Sequence, residues 1–293
     1  MSVESPLASL DLDSIRRFYA EEIRAVCNLR SDSLVEALAV VPREQFLGPG
    51  PWWVRAMDMD LNAAPYQTAD ADPRRVYHNV PVAIDRERNL FNGQPATLAI
   101  WLDTIQLKPG ERVLHIGCAT GYYTAIMAHM VGSAGRVTAV EIDAGLAQRA
   151  RDNLASMPWV DVCEGDAAAG LPETVDAVIV NAGATHPLPA WLDSLSIGGR
   201  LILPLTFVVG GMPGNIGKGV MLLATRQEDG YSARLFSMVA IYSCACARDP
   251  VLNQQLPASL AKGNWFTVRC LRRDLHEPSA DCWLHGNGFC LST

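Results

Sequence analysis

The chain lacks any apolar run near the ~20 residues needed to span a bilayer, and Met1 to Leu10 has neither the basic start nor the apolar segment of a secretory signal. It also lacks a basic excess. With 24 Lys and Arg against 31 Asp and Glu the formal charge is -7, which disfavours nucleic-acid phosphates and anionic membrane surfaces as partners. A cytoplasmic protein that meets small molecules or other proteins is expected. The eight cysteines contain no CxxC pair, and 293 residues at 49% hydrophobic content can bury a core without disulfide staples. Reduced, mostly buried thiols follow. In the tail, Cys282 and His285 have a ligand-like spacing beside His276 and Cys290. Zinc sites, however, usually pair their ligands as CxxC and HxxxH sets, so no metal is expected.

What is present is an alternation of strand and helix patterns. Asp13 to Leu29 and Ser33 to Val41 read as two helices that start at capping residues, with Pro42 stopping the second. Leu47 to Asn92 is rich in Pro, Trp, Asp and Arg without periodicity and reads as a lid or loop region, in which Trp52, Trp53 and Tyr66 either line a substrate wall or pack on the core. Pro95 suits the first turn of a helix running to Ile105. Strands follow at Arg112–Ile116, Arg136–Ile142, Val160–Glu164, Ala177–Val180 and Arg200–Leu205. Helices separate them at Tyr123–Val131, Ala144–Met157 and Pro189–Leu195. Such alternation implies a parallel sheet, and Gly219–Arg226 with Tyr231–Met238 around Glu228-Asp229-Gly230 adds an antiparallel hairpin at its edge. Trp265–Leu271 and Cys282–Leu284 are too apolar for a disordered tail and read as added strands.

In an open parallel sheet the ligand sits beyond the carboxyl ends of the strands. Four features occupy those ends: the GxxxG turn Gly117 to Gly121 after the first strand, Glu141 ending the second, Asp166-Ala167 after the third, and Asn181 after the fourth. Glycines allow close backbone approach, and an acid at the second strand end accepts hydrogen bonds from ribose hydroxyls. A dinucleotide fold would show GxGxxG around a pyrophosphate. The GxxxG spacing, with Ala119 where a middle glycine could stand, suits a loop wrapped around an amino-acid tail, and S-adenosylmethionine carries one.

Several segments together resemble one family. Val41-Pro42-Arg43-Glu44-Gln45-Phe46, Gln94-Pro95, the Val113 to Tyr122 turn, Glu141, Gly165-Asp166, Asp176 to Val180 and Leu195 to Leu201 are similar to the protein-L-isoaspartate O-methyltransferase family across roughly residues 15 to 245. The resemblance implies a Rossmann-like α/β fold with the seven-stranded class I methyltransferase sheet, helices on both faces, an N-terminal helical preface and a C-terminal β-rich extension. It implies three regions: helices and substrate lid over 1–92, the cofactor-binding core over 93–246, and an extension packed on the core over 247–293. It places Gly117, Ala119 and Gly121 at the methionine end, Glu141 at the ribose, and Asp166 with Ala167 at the adenine. Gln94, His115, Ile142 and Asn181 complete the expected cofactor set. The acceptor would be a carboxylate of a protein, peptide or small molecule, which is ionised at neutral pH and needs no general base.

The chain departs from that pattern on the substrate side. The family's T-I-S-Q-P-like run, whose serine lies beside the substrate, is replaced by Leu90-Phe91-Asn92-Gly93-Gln94-Pro95. Asn92 and Gly93 are therefore the candidate substrate-side positions. The preceding Asp85 to Asn89 is charged where the family is glycine-rich. A specialised acceptor is the first expectation, with a true isoaspartate repair enzyme or a non-catalytic cofactor-binding protein as alternatives; a nicotinamide oxidoreductase ranks last on glycine spacing.

Overall fold

The computed structural model describes residues 11–56, 64–169, 173–208 and 215–293; Met1 to Leu10, where a signal segment would stand, lies outside them. Helices α1 (Leu12–Cys27) and α2 (Asp32–Val40) pack against each other. Their caps are not Asp13 and Ser33 but residues two positions earlier. The Asp11 carboxylate accepts from Ser14 N–H at 2.7 Å and the Ser31 hydroxyl from Leu34 N–H at 3.2 Å, each satisfying an N–H that the first turn leaves open. The irregular region contains two small antiparallel pairs, β1 (Trp53–Val54) with β2 (Tyr66–Gln67) and β3 (Ala83–Asp85) with β4 (Leu90–Phe91).

Helix α3 (Pro95–Ile105) has its proline in the first turn. Beyond it run β5 (Arg112–Ile116), α4 (Tyr122–Val131), β6 (Arg136–Glu141), α5 (Ala144–Leu154), β7 (Val160–Glu164), β8 (Val175–Val180), α6 (Pro189–Asp193), β9 (Leu195–Phe207), β10 (Ile216–Gln227) and β11 (Gly230–Tyr242). These seven strands lie in the order β7-β6-β5-β8-β9-β10-β11, parallel through β9 and antiparallel after it. The extension supplies α7 (Pro250–Ala261), β12 (Cys270–Arg272), β13 (Cys282–Gly286) and β14 (Phe289–Ser292), and its strands lengthen the sheet to ten. Two differences from the sequence expectation arise there. Trp265–Thr267 is a 3-10 turn instead of strand, and α7 forms despite Pro257 inside it.

Strand residues alternate between two cores, as the period of two requires. Val113, Ala177 and Ile179 face α3, α4 and α5, whereas Leu114, Val178 and Val180 face α6 and α7. Each fully buried aliphatic side chain contributes about 1.5–3 kcal/mol. Trp52 is buried in the first core, Trp53 lies under the Arg86 guanidinium, and Tyr66 is exposed, so these three form no substrate wall.

The preface is joined to the rest by Arg43, a guanidinium with no exposed surface. It donates to the carbonyls of Val76 at 2.6 Å, His78 at 3.0 Å and Val80 at 2.8 Å, and to Asn92 Oδ1 at 3.2 Å. A rigid planar fork spreads its donors toward acceptors in four places, whereas the three donors of an ammonium radiate from a single nitrogen. Arg43→Met is expected to lower stability by about 3 kcal/mol by stranding these acceptors, and Arg43→Lys to recover only part of it. Urea unfolding of the three proteins checks both.

Candidate active site

The strand order reverses beside β5, which pairs with β6 on one side and β8 on the other. Loops leaving these strands diverge and open a crevice at their carboxyl ends. A cavity of about 430 Å³ fills it, within the usual range for a cofactor site.

Its floor is the turn after β5. Gly117 has φ +78° and donates its N–H to Val140 O at 2.8 Å; a Cβ there would come within 3.4 Å of Asn181 O. Ala119 also adopts a left-handed φ of +51°, which costs a residue with a Cβ roughly 1–2 kcal/mol. The conformation is held from β6. Glu141 Oε2 accepts from Ala119 N–H at 2.8 Å and Oε1 from Asp143 N–H at 3.1 Å. The carboxylate is 8% exposed and lines the cavity, with further lone pairs available beyond these two bonds.

Of the residues expected at the cofactor, Gln94, Gly117, Ala119, Glu141, Ile142, Asp166, Ala167 and Asn181 line the cavity, and so do Asn92 and Gly93. His115 and Gly121 do not. His115 shares the parity of Val113 and so faces α4, where Nδ1 lies 2.9 Å from Thr124 Oγ1; complete burial pushes its pKa down to about 3, leaving a neutral ring that packs helix on sheet. Gly121 makes room for α5, since a Cβ would meet Leu154 Cδ1 at 2.8 Å. Both are packing residues.

The opposite wall comes from the region read as a substrate lid and from the β10–β11 edge, to which the sequence pattern assigned no role. Arg55, Phe91, Ile216 and the end of β11 through Cys246 complete the lining. Tyr242 donates its hydroxyl to Asn89 O at 2.6 Å and accepts from Phe91 N–H at 3.3 Å, fixing the β3–β4 hairpin against β11. The charged segment before Gly93 is the turn of that hairpin. Arg88 bridges Asp85 and Asp143, and Arg149 of α5 donates to Ile84 O at 2.8 Å. Arg55 lies over the Phe91 ring at 4.9 Å and donates to Asn89 Oδ1 at 3.1 Å. Asn92 Nδ2 and Ser243 Oγ are buried in this wall without a hydrogen-bond partner. Near Asp166, the Cys244 and Cys246 sulfurs lie 3.1 Å apart, and the bond from Cys246 holds the Cys244 thiol below the usual thiol range. Such long-range pairings leave no trace in local periodicity; only Arg43, in the Val41 to Phe46 run, carried a signal.

Comparison with known proteins agrees with this geometry. The sequence profile of the protein-L-isoaspartate(D-aspartate) O-methyltransferase family matches residues 19–212. The chain belongs to this family. It is a methyltransferase whose methyl donor is S-adenosylmethionine. A protein-L-isoaspartate O-methyltransferase 1 of Archaeoglobus fulgidus is 31% identical over 67% of this chain and 82% of its own, and one of Rhodopseudomonas palustris is 32% identical over 64% and 68%. A solved protein-L-isoaspartate O-methyltransferase superposes with a TM-score of 0.61 over 84% of this chain and 69% of its own at 21% identity. A Plasmodium falciparum beta-aspartate methyltransferase in complex with S-adenosyl-L-homocysteine gives 0.58 over 79% and 98% at 16% identity. These two likenesses speak to the fold. Among the described residues no helix is long and apolar enough to cross a membrane.

Glu141→Ala is expected to weaken binding of S-adenosylhomocysteine by about 10- to 100-fold, because the Ala119 turn loses its anchor and the cavity a carboxylate acceptor. Calorimetric titration of the two proteins measures this.

Proposed function

We propose that this methyltransferase esterifies a carboxylate on a dedicated protein or peptide acceptor, and that generic isoaspartyl repair is not its main activity. In this reading Glu141 holds the ribose, Gly117 and Ala119 follow the methionine tail, and Asp166 with Ala167 faces the adenine. The residues suit the group: a backbone cradle whose Gly117 stands at φ +78°, where a side chain would be strained, and a carboxylate with acceptor capacity to spare. When bound, S-adenosylmethionine supplies a methyl group on a sulfonium, which an oxygen nucleophile displaces to give an ester and a neutral thioether.

The chain's own part is positioning. A carboxylate needs no proton removed at neutral pH, so the walls have to align it and exclude water, a contribution that reaches effective molarities of ~10⁵ M or more. Arg55 is the one cation among the described lining residues; stacked on Phe91, it suits an incoming carboxylate.

The observation that carries the specialised reading is the backbone at Gly93. Its φ is +83°, and a Cβ would lie 3.0 Å from Leu98 Cδ2, so a serine side chain does not fit without a shift. The salt-bridged hairpin ahead of it replaces a glycine-rich loop with a fixed one.

With labelled S-adenosylmethionine and an isoaspartyl peptide, base-labile methyl ester is expected to form about 10²-fold more slowly than with a serine-bearing relative run alongside, the scale of a 1 Å misplacement. Equal turnover would identify a repair enzyme.

A further inference from the structure

The C-terminal extension brings together four side chains whose spacing in sequence did not pair them. One ligand atom from each of His276, Cys282, His285 and Cys290 lies within 4.8 Å of the others. The β13–β14 hairpin sets His285 opposite Cys290, and His276 arrives from the segment before β13. In a regular strand Cys282 and His285, three positions apart, would point to opposite faces. The irregularity in register between Cys282 and Leu284 takes up the odd residue and brings them to one side.

The geometry is that of a ligand set in place. His276 Nδ1 donates to Asp274 O at 3.0 Å, which fixes the tautomer and leaves the Nε2 lone pair facing Cys282 Sγ at 3.6 Å. An imidazole nitrogen and a thiolate sulfur on one tetrahedral zinc ion are separated by about 3.6 Å, given Zn–N near 2.0–2.1 Å and Zn–S near 2.3 Å. Ser279 N–H donates to Cys282 Sγ at 3.3 Å, the kind of outer bond that orients a metal-bound thiolate. Cys290 is buried and His285 Nδ1 has no hydrogen-bond partner. Both histidines border a second cavity of about 340 Å³, which provides an entry path.

We propose that His276, Cys282, His285 and Cys290 hold one Zn²⁺ ion in a closed, structural site. Two thiolates and two imidazoles favour zinc over the hard cations, and four protein ligands leave no position open for catalysis. The ion joins the outermost hairpin of the sheet to the segment that precedes it. Loading releases thiol protons to solvent and changes no oxidation state.

The test is metal content. Full-length protein, dialysed against metal-free buffer, is expected to retain about one zinc per chain by plasma mass spectrometry, and the Cys282→Ser/Cys290→Ser double variant to lose it. Because that variant could fail to fold, the intact protein is also reconstituted with Co²⁺. Strong visible bands with thiolate-to-metal charge transfer are expected for a tetrahedral site of this composition. Zinc-free protein whose Co²⁺ form is colourless would overturn the proposal. So would full zinc retention by the double variant, or peptide mapping of the unreduced protein that finds a Cys282–Cys290 disulfide in place of the metal.

Discussion

Two backbone N–H groups and one carboxylate set the geometry of the site. Glu141 ends β6, reaches across to the turn leaving β5, and fixes Ala119 in a left-handed conformation that an alanine would otherwise avoid. Its second oxygen holds Asp143, and Asp143 in turn caps α5 by accepting from Leu146 N–H at 2.8 Å. The chain of bonds therefore runs from turn to strand end to helix start. It pre-forms the cradle, so that binding does not have to order it.

The same small region also grips the acceptor side. Arg88 pairs with Asp143, and Arg149 on α5 reaches the carbonyl of Ile84, so the β3–β4 hairpin is anchored to the helix that begins just after Glu141. Arg43 anchors it from the other direction through Asn92 Oδ1. A methyl transfer without acid or base help depends on alignment, and these contacts make the acceptor wall rigid where a glycine-rich loop would be adaptable. In the proposed reading, that rigidity is what selects one acceptor over many.

The crevice at the strand ends was legible because its elements are local. Val113 to Ile116 is a short apolar run closed by glycine, Glu141 ends the next such run, and the strand-helix rhythm places both at one edge. His115 and Gly121 belong to the same motif yet serve packing, since a motif fixes backbone path and not which face a side chain takes. The acceptor wall was illegible for the opposite reason: Tyr242 meets Asn89 across 153 residues, and no window of sequence contains both. Helix α7 was hidden by Pro257, which reads as a breaker. The tail cluster was hidden by a strand irregularity that shifts one side chain to the other face. Its spacing argued against a metal because zinc ligands usually come as CxxC and HxxxH sets, whereas here the hairpin register and the strand irregularity bring them together.

In the proposed reading the turn held by Glu141 is the adenosyl cradle. A crystal structure of the chain with S-adenosylhomocysteine decides this. Ribose hydroxyls are expected on the Glu141 carboxylate, the amino-acid tail along Gly117 to Ala119, and the adenine beside Asp166 and Ala167. A ligand bound elsewhere, or lying in the cavity without contact to Glu141, would contradict it.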